Sequence, residues 1–264
     1  MDFTDINTRG VVLLGCGKMG GAMLEGWLDR GLSPGAVTVI DPHPSDWLRG
    51  TGVALNAGLP DAPAITLIAV KPQMMGDALP SLRGLSDTLF VTVAAGTPIA
   101  AYEAAFGTGA RVVRAMPNTP AAIGRGITAI VGNGAATQAD LDLAEQFLSA
   151  VGEVVRLDSE EQMDAVTGLS GSGPAYVFHM IEAMAAAGEA QGLAPDLALR
   201  LARATVAGAG ALAMKGEAPG QLRENVTSPG GTTQAGLAVL MEELPDLMIR
   251  TVRAAADRSR ELRA

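Results

Sequence analysis

The sequence predicts a doubly wound α/β fold with a mostly parallel sheet over residues 1–158, followed by an all-helical part over residues 159–264. Three observations predict it. Apolar runs of four to eight residues, bounded by Gly or Pro, recur through the first part, as strands buried on both faces of a parallel sheet require. Helical segments lie between several of them, as crossovers between parallel strands demand. After "VGEVVRLD" the strand runs stop and helical periodicity takes over.

The elements follow in order. In "RGVVLLGCGKMGGAMLEGWLDRGL", Val11 to Leu14 reads as a strand, followed by a glycine turn and a helix to about Arg30. The next run, "AVTVID", ends on Asp41. Further strands are expected in "AITLIAVKPQ", "TLFVTVAAGTP", "RVVRAMPNTP", "GITAIVGN" and "VGEVVRLD", with helical segments in "DALPSLRGL" and "IAAYEAAFG". The second part reads as helices in "SEEQMDAVTGLSG", "GPAYVFHMIEAMAAAGEAQG", "APDLALRLARATVAGAGALAMKG", "TTQAGLAVLMEEL" and "PDLMIRTVRAAADRSREL". Pro174 suits a first helical turn and Asp196 an acid-favoured one. Leu197, Leu201, Thr205, Gly208 and Leu212 share one helix face, which is expected to pack in a helical core.

With 264 residues, 48% of them apolar, two domains of ordinary size are expected. The net charge of −9 argues against nucleic acid or an anionic membrane as partner. Cys16, the single cysteine, excludes an internal disulfide, and no basic-then-apolar leader is read at the start, so a cytoplasmic protein is expected. Charged residues interrupt every apolar stretch before it could span a bilayer. Only 3% of residues are aromatic while Ala and Gly abound, so the core buries little area per side chain and would benefit from a partner subunit.

Gly15, Gly17 and Gly20 form G-x-G-x-x-G between a strand and a helix, the context in which the motif binds a dinucleotide. Gly15 permits the tight turn, Gly17 admits a pyrophosphate, and Gly20 lets helix and strand pack. The anion rests on the helix N-terminus. The alternative is a glycine-rich turn with no ligand. Asp41, twenty-one positions beyond Gly20, stands where an acid accepts a ribose 2′-hydroxyl and so favours NAD(H). NADP(H) stays open, because Pro42 and His43 follow, a turned-away carboxylate would tolerate a 2′-phosphate, and Asp-Pro is also an ordinary turn opener. The strand ends at Ala69-Val70-Lys71-Pro72 and Ala94-Ala95-Gly96 are expected to face the cofactor, with a solvated loop lysine as the other reading of Lys71.

Neither histidine is a persuasive catalyst: His43 lies in the cofactor half, and His179, inside a helix, reads as a core or interface residue. No metal set or Ser-His-Asp order is legible, so no metal is expected. Two glycine turns precede helices, "SGSGP" at 170–174 and "SPGGTT" at 228–233. The second is either a plain helix cap or an anion loop in which Gly230 and Gly231 free the backbone and Thr232 or Thr233 caps the helix.

Together "GCGKMGGAM", "AVKPQ", "AAGTP", "RAMPNTP", "GLSGSGPAYVF" and "GQLRENVTSPGGTTQAGLAVLME" resemble the pyrroline-5-carboxylate reductase family, in order and over nearly the whole chain. The glycine-rich first motif is shared by many dehydrogenases, whereas the two later turns are specific. The resemblance implies a Rossmann-like N-terminal domain, a helical C-terminal dimerisation domain, and reduction of the C=N bond of 1-pyrroline-5-carboxylate to L-proline with NADP(H) or NAD(H). It implies homodimers, which some members assemble into decamers. On this sequence it implies that Gly15, Cys16, Gly17, Lys18, Met19, Gly20, Ala69, Val70, Lys71, Pro72, Ala94, Ala95 and Gly96 line the cofactor. Ser228, Gly231, Thr232 and Thr233 fall in the substrate loop, with Ser172 and Asn225 near it, and Thr233 matches the threonine that meets the ring nitrogen. Asp41 departs from relatives with Ser, Asn or Arg nearby, which favour NADPH. A cyclic imine is basic enough to be partly protonated in water, so a hydroxyl suffices where no catalytic His or Lys is found. The rival readings are a related imine or β-hydroxyacid reductase, for which a helical lysine is missing from "GLSGSGPAYVFHMIEA", and a non-catalytic dinucleotide sensor.

Overall fold

The computed structural model describes residues 3–85 and 87–262. The chain forms two compact units, one taking the chain up to Gly171 and again from Ala255, the other comprising Ser172–Ala254.

The first unit runs α1 (Thr4–Arg9), β1 (Val11–Leu14), α2 (Lys18–Asp29), β2 (Val37–Ile40), α3 (Asp46–Gly50), β3 (Ala54–Leu55), β4 (Ile65–Ile68), α4 (Met75–Ala78), β5 (Leu89–Thr92), α5 (Ile99–Phe106), β6 (Arg111–Met116), β7 (Gly126–Gly132), α6 (Gln138–Leu148), β8 (Gly152–Arg156) and α7 (Met163–Val166), with 3₁₀ turns between several of them. Its eight-stranded sheet has the order β3-β2-β1-β4-β5-β6-β7-β8. Every neighbouring pair is parallel except β6 with β7. Strand order reverses at β1, which pairs with β2 on one side and β4 on the other, and such a switch point opens a crevice at the carboxyl ends.

Side-chain alternation explains why the strands read as unbroken apolar runs. Val11 and Leu13 enter the same core layer as Ile65, Leu67, Leu89 and Val91, while Val12 and Leu14 enter the opposite layer with Ile68 and Phe90. Both faces are thus covered. Helix α2 buries Gly20, Met23, Leu24 and Trp27, one face at helical spacing. The Trp27 ring stacks on Phe147 at 3.9 Å, and its indole N–H donates to the Phe147 carbonyl. Each fully buried side chain of this size contributes about 1.5–3 kcal/mol.

Four elements of this unit were not named from the sequence. Helix α1 buries only Ile6, β3 has two residues and α3 five, so none of them leaves a periodic run, whereas α6 is a full helix whose Thr137–Asp140 capping box was there to be read. The last strand ends at Arg156, but Met163 and Asp164 are still buried with the first unit. Ser259 returns to donate its hydroxyl to Asp164 at 2.8 Å. The expected helix around "SEEQMDAVTGLSG" is instead a 3₁₀ turn, α7 and a π-helical turn at Thr167–Gly171. Thr167 and Ser170 bond the carbonyls four residues back, which loosens helical turns.

The second unit contains α8 (Gly173–Ala190), α9 (Pro195–Ala213), α10 (Pro219–Asn225) and most of α11 (Thr232–Glu261). The two helical segments expected on either side of Pro245 are one helix with the proline inside it. A proline there removes a single N–H donor and crowds one carbonyl, a local cost that the good helix formers around it outweigh. Helices α8 and α9 meet through small residues: Ala185, Ala198 and Ala202 are buried, and a Cβ on Gly188 would approach that of Ala198 to 3.2 Å. The face of α9 expected to enter a helical core is exposed in the single chain, with Leu197, Leu201 and Leu212 at 46%, 49% and 52%. Helix α9 presents its alanines to α8 and its leucines elsewhere. No helix among the described residues is long and apolar enough to cross a membrane.

Candidate active site

The parallel register puts the ends of β1, β2 and β4 at one sheet edge. There the first unit has a cleft of about 740 Å³, lined among others by Gly15, Cys16, Gly17, Lys18, Asp41, Ala69, Val70 and Lys71. Gly15 leaves β1 at φ +88°, a left-handed conformation that glycine adopts without strain. A Cβ on Gly20 would lie 2.3 Å from the Gly15 carbonyl oxygen, so helix and turn touch backbone to backbone. At Gly17 an added Cβ would meet nothing within 4 Å. Gly17 also stands at the start of α2, where no side chain caps the helix, and the first N–H groups of a helix lack intrahelical partners. Open space over an uncapped helix N-terminus fits a dinucleotide pyrophosphate.

Asp41 bridges this turn to the end of β2. Its Oδ2 accepts the Cys16 N–H at 2.7 Å and its Oδ1 the His43 N–H at 2.8 Å. Asn56 holds the Asp41 backbone from the other side, accepting its N–H at 2.9 Å and donating to its carbonyl at 2.8 Å. Burial, and secondly the nearby Asp41 carboxylate, push the Cys16 thiol up from its ordinary 9.0 to about 11. The thiol is therefore protonated near neutrality, and a filler role fits it better than a reactive one.

The remaining cofactor candidates divide. Met19 packs against the core and Gly20 is buried beneath the turn. Pro72 opens a 3₁₀ turn after Lys71. Ala94, Ala95 and Gly96 follow β5 at the same sheet edge but are not in the lining of the cleft. Gly96 has φ +75°, and a Cβ there would contact Leu262 at 3.4 Å.

In the second unit, Ser172 precedes α8 without a side-chain cap bond, and its carbonyl accepts the Ala175 N–H. Asn225 ends α10 and is held by two side chains, donating to Glu217 at 2.7 Å and accepting from Gln221 at 2.9 Å. In the "SPGGTT" turn, the Gly231 N–H donates to the Ser228 carbonyl at 3.0 Å, and a Cβ on Gly231 would lie 2.5 Å from the Ser228 hydroxyl oxygen. Gly230 takes φ +73°. The expected threonine cap is corrected: α11 begins at Thr232, so Thr232 and Thr233 lie inside its first turn. Gln234 reaches back into the turn, accepting the Gly230 N–H at 2.6 Å, one residue before the helix's N-cap position. Both threonines are exposed, and their N–H groups lie in the turn that lacks intrahelical partners.

Three positions escaped the sequence reading. Gln234, the third residue of α11, reaches back past the N-cap position to Gly230, and with glycine rather than Ser or Thr at that position the sequence carries no capping-box signal for it. Asn56 adopts φ +50° and is paired with Asp41 only by folding. Asn118, within "RAMPNTP", accepts the Ile127 N–H and donates to the Ser170 carbonyl; no local spacing foretells either bond. Among the described residues no group of three or more His, Cys, Asp or Glu is placed to hold a metal.

Two families match the sequence. One, described as pyrroline-5-carboxylate reductase dimerisation, matches residues 160–262, and the other, described as NADP oxidoreductase coenzyme F420-dependent, matches residues 10–96. A pyrroline-5-carboxylate reductase of Methanosarcina acetivorans is 40% identical over 94% of this chain and 96% of its own. One from Pisum sativum is 39% identical over 94% of each chain. Among solved structures, a pyrroline-5-carboxylate reductase from Coxiella burnetii superposes with a TM-score of 0.90 at 32% identity, covering 97% of this chain and 99% of that one. The Plasmodium falciparum pyrroline carboxylate reductase, solved with NADP bound, gives 0.84 at 26% identity, covering 98% and 100%.

Proposed function

The chain belongs to the pyrroline-5-carboxylate reductase family and is an NAD(P)H-dependent oxidoreductase, and from that premise we propose how its own residues serve the reduction of 1-pyrroline-5-carboxylate to L-proline. A reduced nicotinamide, when bound, would supply hydride to the imine carbon. The turn of Gly15, Gly17 and the start of α2 holds the pyrophosphate, with the loops Ala69 to Pro72 and Ala94 to Gly96 along the cofactor. The N–H groups opening α11 hold the substrate carboxylate, and Ser172, Asn225, Ser228 and Gly231 shape its surroundings. Thr233 hydrogen-bonds the ring nitrogen and relays its proton. Positioning and a neutral donor suffice because a cyclic imine needs little acid assistance.

The observation that supports this reading is the division of labour in the "SPGGTT" turn. Gln234 and the Ser228 carbonyl take the Gly230 and Gly231 N–H groups, which fixes the turn and leaves the N–H groups of Thr232 and Thr233, in the first turn of α11, for a ligand. The proposed unit is a homodimer through the helical part, in keeping with the matched dimerisation family and with exposed Phe178, Leu201, Leu240 and Ile249. We place the enzyme in the cytoplasm.

Mixing the protein with 1-pyrroline-5-carboxylate and each reduced nicotinamide, and following the loss of nicotinamide absorbance, tests the reaction. Proline formation with cofactor oxidation is expected, and no oxidation of either cofactor overturns the reading. Light scattering tests the assembly: two chains are expected, ten would join those family members that build decamers from dimers, and one chain refutes the dimer.

A further inference from the structure

We propose that Asp41 is a locked specificity determinant that makes this enzyme prefer NADH over NADPH, and that the same carboxylate holds the glycine turn in place. The proposal rests on the dinucleotide reading of the cleft and goes beyond it by choosing between the two nicotinamides.

The choice turns on whether the carboxylate can move. An acid at the end of the second strand accepts a ribose 2′-hydroxyl, but a carboxylate free to rotate away would let a 2′-phosphate enter. Here it is not free. One oxygen is bound by the Cys16 N–H and the other by the His43 N–H, two charge-assisted bonds from different segments. Rotation about the side chain would break both. The backbone that carries it is fixed in turn by the paired bonds of Asn56. Each carboxylate oxygen keeps one further lone pair for a ribose hydroxyl. A 2′-phosphate has only acceptors and negative charge to offer that group. Lys18, Lys71, His43, Glu25 and Cys16 are the charged or titratable groups lining the cleft beside Asp41, and among the described lining residues there is no arginine to receive a 2′-phosphate.

The bond to Cys16 adds a second consequence. The Cys16 N–H lies between Gly15 and Gly17, so the carboxylate that reads the ribose also sets the conformation of the pyrophosphate turn. Removing it altogether should therefore change cofactor choice and, relative to Asp41→Asn, weaken binding of both nucleotides, whereas loss of a residue that only reads the ribose would weaken NADH and spare NADPH.

The test is equilibrium titration of the full-length protein with NADH and with NADPH, without substrate, followed by nicotinamide fluorescence. The wild type should bind NADH more than about tenfold tighter, the modest end of what facing like charges cost. Asp41→Asn, which removes the charge at nearly constant shape and keeps one of the two acceptor oxygens, should shift the ratio toward NADPH by about tenfold. Asp41→Ser should shift it as far and also weaken both nucleotides relative to Asp41→Asn; NADPH binding as tight as in Asp41→Asn would overturn the turn-holding role. Asn56→Ala leaves the charge in place and loosens the lock, so it should narrow the ratio. Equal or tighter NADPH binding by the wild type overturns the proposal, as does a ratio unmoved by Asp41→Asn. Absence of binding by either nucleotide would instead overturn the dinucleotide reading and this proposal with it, a result distinct from loss of discrimination. If Asp41→Ser does not fold, Asp41→Asn decides.

Discussion

Gly20 and Gly15 meet so closely that a methyl group on the first would stand 2.3 Å from the carbonyl oxygen of the second. Gly17, two residues from Gly15, has open space at the same distance from its own backbone. One glycine is packed against backbone and the other is left open.

The two roles separate under substitution. Gly20→Ala should destabilise the protein by about 1–3 kcal/mol, as overpacking does, and weaken dinucleotide binding with it. Gly17→Ala should leave stability unchanged or raise it by up to about 1 kcal/mol, yet weaken dinucleotide binding more than about tenfold by obstructing the pyrophosphate. Denaturant unfolding and nucleotide titration of both variants check this; equal effects on both quantities would contradict it.

The "SPGGTT" turn offers a matched pair. Thr233→Ala should lower kcat by about one to three powers of ten, the range for a lost proton-transfer or positioning group. Thr233→Ser, which keeps the hydroxyl, should recover most of it. Steady-state kinetics at saturating cofactor decide, and near-wild-type turnover in the alanine variant would remove Thr233 from the mechanism.

Arg114 is 2% exposed and donates to Glu160 at 2.6 Å, and the same Glu160 oxygen accepts the Ile99 N–H at the start of α5. Glu160→Ala strands a buried guanidinium and should cost about 3 kcal/mol, the lower end for a broken buried pair because Glu160 itself is 27% exposed. Glu160→Gln keeps an acceptor and should cost less. Chemical denaturation that ranks the two in the other order would refute this assignment.

Cys16 should alkylate slowly at pH 8 and faster as pH rises from 9 toward 11, because the thiolate is the nucleophile and the thiol pKa is raised to about 11. The sign for stability follows: the neutral thiol is favoured in the fold, so its contribution is complete below pH 9.0, its ordinary value, and lost as pH rises through about 11. Asp41→Asn removes the second of the two causes and should move the alkylation curve to lower pH. Iodoacetamide kinetics followed by mass spectrometry give the curve; rapid labelling at pH 7 would contradict it.

The sequence by itself determined seven of the eight strands, because burial on both faces leaves runs such as Val11 to Leu14 wholly apolar. It also determined the glycine turn after β1, since a glycine needed for backbone contact leaves its letter in the chain. Short elements such as β3 and α1 were illegible, having too few residues to show a period. Tertiary structure alone decided what joins distant segments: Asn56 gripping Asp41, Asn118 reaching Ser170, and Ser259 returning to Asp164. It also decided that the leucines of α9 lie exposed in a single chain, because periodicity names an apolar face but not what covers it. A hydrogen bond between distant residues depends on where the fold carries each of them, and local spacing has no means of recording that.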